Sequence, residues 1–286
     1  MTVAIVDLNA PGPDRAFVQA LRESGFAVLR HPPLDAVRVA RMDAGWREFF
    51  LREEAGSEGK AAWLAEENPV SGNSTGWIPP EVSETAVGHG VKDLKEFYHI
   101  APGARLPPAL AGDAFAHYDE ALALGARLLG WIDAHCRAVL PAALHGRLAG
   151  SLSREHSLLR ILHYPPLAGS EAPGAVRAAA HEDINLLTVL PVAREPGLEL
   201  RARTGSWEAV PGKPGDVIIN AGDMLQEATG GALPSTTHRV VNPVGPAANV
   251  SRIAMPYFLA PDLELRLSAR YTAGSYLRER LQALAR

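Results

Sequence analysis

Apolar positions recur with two different periods along this chain, and the change falls near residue 157. In the first stretch Val3 to Asp7 reads as a short strand. Pro13 and Asp14 then open a helix that puts Phe17 and Leu21 on one face and stops near Gly25. Phe26 to Arg30 returns to strand, and a second helix is expected from Asp35 to about Glu53, followed by a loop rich in Gly, Ser, Glu and Lys. The run NPVSGNSTGWIPP from Asn68 to Pro80 carries too much Gly, Pro, Ser and Asn for a regular element, so it is expected over the surface or across a pocket mouth. Phe115, Tyr118, Leu122, Leu129, Ile132, Cys136 and Val139 fall at three-and-four spacing, which predicts a long amphipathic helix over Gly112 to Leu140, ended or bent by Pro141.

Beyond residue 157 the pattern becomes a series of short β-prone runs separated by Pro and Gly: SLLRILHY, INLLTVLPV, GLELRA, WEAV, DVIIN, HRVVNP and RIAMPYFLA. Strands at that spacing imply a sandwich or barrel, and a jelly roll can bring side chains together from distant strands. Ser268 to Arg286 closes as a helix whose Tyr276, Leu277, Leu281 and Leu284 can pack on the same chain or on a second subunit, the former being preferred; monomer and homodimer both stay open. The expected architecture is mainly β with flanking helices (α+β) in one domain, 1–286. It comprises a largely helical section 1–156 with a few strands, a jelly-roll core 157–267 and the closing helix 268–286.

Composition narrows the partners. The chain has 286 residues and a net charge of −4, from 28 Lys and Arg against 32 Asp and Glu, with no dense basic run, so nucleic acid is not an expected partner. The one cysteine, Cys136, excludes an intrachain disulfide and the usual thiolate zinc sites and fits a reducing cytoplasm. The first residues lack a basic segment and a long apolar run, so neither a secretion signal nor a membrane partner is expected.

The candidate chemistry lies in AAHEDINLLTVLP, STTHRVVNP and NVSRIAMPYF. Residues two apart on a strand share a face, so His181 and Asp183 can point into a barrel while Glu182 points away, and His238 can join them from another strand. Two imidazoles and one carboxylate occupy one face of a six-coordinate metal and leave positions open, the arrangement suited to a non-heme Fe(II) oxygenase. A second H-x-D, His117 and Asp119, lies in the long helix, where two residues are about 200° apart and the side chains diverge. Arg252 follows the last histidine, and a guanidinium meets a carboxylate through paired, charge-assisted hydrogen bonds.

These residues, with DLKEFYHI (93–100), ILHYPP (161–166) and GDVIINAGDMLQEATGG (215–231), resemble the isopenicillin N synthase-like branch of the Fe(II)- and 2-oxoglutarate-dependent dioxygenases. The resemblance spans nearly the whole chain and is best from about 160 to 261. It implies a double-stranded β-helix, or distorted jelly roll, with His181, Asp183 and His238 as catalytic iron ligands. It also implies that Arg252 and Tyr164 bind the distal carboxylate of 2-oxoglutarate, and that the reaction consumes dioxygen and a small-molecule substrate. The pattern departs at two places: Ala254 stands where the family has the Ser of Arg-x-Ser, and Leu162 where Asn is common. Loss of one hydrogen bond to a charged group is worth about 1.5 to 3 kcal/mol, enough to weaken a site that keeps Arg252 and Tyr164 without abolishing it. Trp77, Phe97, Tyr98 and Arg160 are substrate candidates, and Arg160 shares a strand face with Tyr164 and can meet a substrate carboxylate. The expected reaction is hydroxylation of a small polar carboxylate-bearing compound such as an amino acid or acylated amino acid. Desaturation or ring closure of a natural-product intermediate by an oxidase of the same fold, with or without 2-oxoglutarate, is an alternative, with a zinc hydrolase or a non-catalytic binding protein behind it.

Overall fold

The structure, a computed structural model, describes residues 3–52, 59–70, 72–82, 91–245 and 249–284. Five α-helices are found among these residues: α1 (Pro13–Ser24), α2 (Ala36–Phe50), α3 (Pro108–Cys136), α4 (Asp223–Ala228) and α5 (Ala273–Leu284). The strands before α3 are β1 (Ile5–Asp7), β2 (Phe26–Arg30), β3 (Glu66–Glu67), β4 (Ser74–Ile78) and β5 (Glu96–Ile100). Between α3 and α4 lie β6 (Leu158–Tyr164), β7 (Ala178–His181), β8 (Leu187–Pro191), β9 (Leu198–Arg201), β10 (Trp207–Ala209) and β11 (Val217–Ala221). β12 (His238–Val240), β13 (Arg252–Ala254) and β14 (Tyr257–Leu259) complete the set.

The strands form two sheets. The larger runs β1-β2-β11-β8-β14-β6-β5-β4-β3, with β13 also paired to β6, and the smaller runs β10-β9-β12-β7. Every pairing is antiparallel except β1 with β2. One face of the larger sheet turns to the helices, where Trp46, Phe49, Tyr98, Tyr118, Leu128 and Tyr257 belong to the main apolar core. Its other face meets the smaller sheet through Phe26, Val28 and Ile218 against Leu200, and through Phe97, Leu162 and Tyr164 against Ala178 and Val240. This is the expected distorted jelly roll with flanking helices.

Local rules account for much of the outline. Asp35 accepts from the N–H groups of Val37 and Arg38 and so starts α2. Gly25 ends α1 at φ 70°, and its N–H returns to the Leu21 carbonyl at 2.8 Å. A Cβ there would also collide with Thr236, so the position admits glycine for two reasons.

Several expectations need correction. The 68–80 run contains β4, because Trp77 buries its ring and pairs with Tyr98 across the ladder; burial overrides the local turn composition. The long helix begins and ends earlier than its apolar spacing suggested, at Pro108 and Cys136, and Val139 lies beyond it, 41 % exposed. RIAMPYFLA splits into β13 and β14 on either side of Pro256, and the closing helix starts at Ala273. The part of the second helix expected at Glu53 lies outside the described residues.

Candidate active site

His181 is the last residue of β7 and His238 the first of β12, and the two stand opposite one another in the ladder. Asp183 lies in the turn after β7, so strand alternation does not aim it as the sequence suggested. The turn is held from behind: the N–H of Asp223, at the start of α4, donates to the Asp183 carbonyl at 2.9 Å, and Gly222 N–H donates to Leu186 O at 3.1 Å. The ligand atoms of His181, Asp183 and His238 all lie within 4.8 Å of one another.

The other atoms of the three side chains are already committed. His181 Nδ1 is 2.8 Å from Ala179 O and His238 Nδ1 is 3.1 Å from Thr236 O, so each donates Nδ1–H to a carbonyl and leaves Nε2 as the ring atom available to a metal. Asp183 Oδ2 accepts from Thr188 Oγ1 at 2.6 Å and from Asn220 Nδ2 at 2.8 Å, which leaves Oδ1 facing the imidazoles at 3.9 and 3.7 Å. Burial alone would raise the Asp183 pKa, but the neighbouring imidazoles and these two hydrogen bonds outweigh it and hold the carboxyl below its ordinary value. Burial of the ring nitrogens first, and then the neighbouring His238, lower the His181 pKa to about 4 and keep this imidazole neutral, although its side chain as a whole is 40 % exposed. Two imidazoles, a carboxylate and no thiol form a donor set suited to a divalent metal such as iron with open positions.

The wall beside this triad comes from β5, β6 and β13. Arg252 pairs with Tyr164, and Lys95, one residue before β5, lines the same level of the pocket. The next level is apolar, with Phe97 opposite Leu162 and Leu162 opposite Ala254. Beyond it lies Arg160, whose Nε donates to His99 Nε2 at 2.8 Å and whose guanidinium stands 4.5 Å from the Phe97 ring and 5.4 Å from the Phe258 ring. Arg252 is 3 % exposed; its Nε donates to Glu195 O, while its Nη1 is buried without a partner among the described residues. Burial lowers its pKa, which still leaves a permanent cation. A buried guanidinium with a spare donor fits an anionic co-substrate.

The structure thus brings His181, Asp183, His238, Arg252, Tyr164 and Arg160 to one pocket. Phe97 lies behind its apolar level. Trp77 and Tyr98 do not join them, because their rungs face the helices: Trp77 Nε1 donates to Glu96 at 2.7 Å and Tyr98 OH donates to Arg105 O at 2.6 Å. The helical decoy is resolved as expected, with His117 buried and Asp119 paired outward with Arg154. Glu182 accepts from Thr237 Oγ1, away from the position a hydrolytic base would need. Sequence reasoning missed Thr188, Asn220 and Lys95. The signal for the first two was a lone polar residue inside an apolar run, LLTVL and VIINA, which a buried strand keeps only when it has a partner.

Ala254 and Leu162 face each other on paired strands, so the two departures from the family pattern form one apolar patch. Ser251 does not replace the missing hydroxyl, since its Oγ is bonded to Arg47 on α2.

Comparison with known proteins gives a consistent picture. The family model of the 2OG-Fe(II) oxygenase superfamily matches residues 155–261. The chain is 31 % identical to proline hydroxylase buaE of Petromyces alliaceus, over 97 % of this chain and 92 % of that protein. A crystal structure from Shewanella oneidensis, assigned as an oxygenase, superposes with a TM-score of 0.84 at 43 % identity, covering 100 % of this chain and 99 % of that one. One from Caulobacter crescentus, assigned to the 2OG-Fe(II) oxygenase family, gives 0.78 at 32 % identity, covering 97 % and 98 %. With near-complete coverage at these identities, the chain belongs to the 2OG-Fe(II) oxygenase superfamily and is a non-heme dioxygenase that works with Fe(II), 2-oxoglutarate, dioxygen and a small-molecule substrate.

Proposed function

We propose that this dioxygenase hydroxylates a small polar substrate bearing a carboxylate, such as an amino acid or acylated amino acid, within one oxygenase domain spanning 1–286. The observation that carries the reading is Arg160: it lies in the pocket wall between the Phe97 and Phe258 rings, separated by an apolar level from Arg252. Two guanidinium groups on one wall let two anions bind without competing for one cation. Proline hydroxylase buaE, similar over nearly the full length, agrees with a small amino-acid-like substrate.

In this reading His181, Asp183 and His238 hold Fe(II), and Arg252 with Tyr164 receives the distal carboxylate of 2-oxoglutarate. Bound Fe(II) supplies the activation of dioxygen that turns 2-oxoglutarate into succinate and carbon dioxide and oxidises a substrate C–H bond. The chain's own residues set the geometry. Ala179 O and Thr236 O fix the imidazole tautomers, while Thr188 and Asn220 fix the carboxylate. Burial raises the Tyr164 pKa, so its hydroxyl stays protonated and can donate to an anion. Leu162, Ala254 and Leu190 keep water from the space between the two cations.

The test is substrate-dependent succinate release across a panel of carboxylic acids and amino-acid derivatives, with mass analysis for the gain of one oxygen. Arg160→Leu is expected to raise KM for the active compound about tenfold or more, the worth of a charge-assisted hydrogen bond. Turnover restricted to uncharged compounds, or a KM indifferent to Arg160, would remove the carboxylate from the proposal.

A further inference from the structure

Tyr164 lies within reach of two buried guanidinium groups. The Arg252 Cζ is 5.3 Å from its ring centroid and the Arg177 Cζ 6.0 Å. Arg177 precedes β7, the strand that ends in His181, and is 1 % exposed. Its backbone N–H donates to Asn242 Oδ1 and its Nη2 to Val250 O, both at 2.9 Å, while its Nε is buried without a partner. Among the described residues neither arginine has a carboxylate at ion-pair distance. The nearby acids are engaged elsewhere, Glu195 by Arg47 and Asp93 by Lys95.

Such a pair is costly. Each ion surrenders hydration worth several kcal/mol, and the two repel across a poorly polarisable interior. Burial first, and then the charge of Arg252, lower the Arg177 pKa. Met or Leu would fill the space behind Tyr164 without this cost, so the second charge needs an anion to offset it. The available anion is the one that binds Arg252, at a site where Ala254 supplies no hydroxyl.

We propose that Arg177 is a positioning residue for 2-oxoglutarate, its charge acting through Tyr164 to reinforce Arg252 at the distal carboxylate in place of the hydroxyl absent at position 254. The inference rests on the reading of Arg252 as the carboxylate receptor. Arg177 lies behind the pocket wall, so its contribution is electrostatic and orientational.

The test is calorimetric titration of the full-length protein, loaded with Mn(II), with 2-oxoglutarate and with 2-oxobutyrate, which keeps the keto acid and lacks the second carboxylate. Arg177→Gln retains hydrogen-bond donors and removes the charge. It is expected to weaken 2-oxoglutarate binding about tenfold, leave 2-oxobutyrate unchanged and recover part of the loss when combined with Ala254→Ser. Arg177→Lys keeps the charge and is expected to stay within threefold of the parent. Wild-type 2-oxoglutarate affinity in Arg177→Gln, or an equal loss for both keto acids, would overturn the proposal. Should that variant not fold, a tenfold loss in Arg177→Lys would exclude a role based on charge. Arg252→Gln separates the two readings: if it too binds 2-oxoglutarate normally, the assignment of the distal site is what fails.

Discussion

At the scale of single residues, the coordination face depends on groups that never touch a metal. Asn220 and Thr188 both donate to Asp183 Oδ2 and keep Oδ1 turned towards the imidazoles. Asn220→Leu is therefore expected to weaken metal affinity about 10- to 100-fold in a Mn(II) titration, with the fold retained by circular dichroism. An unchanged affinity would mean that the carboxylate is oriented by its backbone alone. His117 makes a different prediction, because burial pulls its pKa from 6.5 down to about 4 and the fold holds it neutral. Its contribution is complete above the unfolded value of 6.5 and is lost as pH falls towards 4, by about 3 kcal/mol in all. Denaturant unfolding across that window should show the loss in the parent protein and a flatter profile in His117→Leu. The triad and Arg252 could be singled out in the sequence because the residue types and their order suggest the chemistry, and the structure brings them to one pocket. Arg177 and Lys95 were not, since a buried cation looks like any other Arg or Lys until its surroundings are known.

At the scale of elements, the proposed metal site is a junction between the turn after β7 and the start of α4. Gly222 lies at that junction, and a Cβ there would overlap the carbonyl and side-chain oxygens of Asn185. Gly222→Ala is expected to displace the turn bearing Asp183, lowering both melting temperature and metal affinity. Parent-like values for both would show that the turn can yield. β8 and β11 could be read from the apolar runs LTVLP and VIINA because both of their faces are buried. β4 could not, since SGNSTGW becomes a strand only through its pairing with β5 and the burial of Trp77. Asp183 joins the two histidines for a reason other than the one the sequence suggested: strand alternation describes His181, but the turn and its α4 anchors place the carboxylate. The buried set Lys60, Glu96, Trp77 and His163 was equally hidden, being assembled from four separate segments. Glu96 ties them together, and Glu96→Gln, which leaves the Lys60 ammonium buried and unpaired, should cost about 3 kcal/mol or more in unfolding free energy.

Across the whole molecule, the two histidine-bearing strands depend on the opposite end of the chain. Phe26 packs edge-on against His238 with ring centroids 5.6 Å apart. The bond from Thr236 Oγ1 to Ser24 O, beside the carbonyl that fixes the His238 tautomer, spans 212 residues. The α5 helix adds another long closure, with Arg280 Nε 2.8 Å from the buried Asp223 that starts α4. Proteins dominated by such distant pairings fold slowly, because the entropy of closing long loops is lost before the contacts that reward it form. In stopped-flow refolding, far-ultraviolet signal is expected to recover before the ability to capture Mn(II), and simultaneous recovery would contradict this order. A ribosome releasing the chain from its N-terminus exposes Phe26 long before His238 exists. The metal site is thus a late product of biosynthesis, and a stalled or truncated chain would carry helices and strands but no competent centre with which to generate stray oxidant.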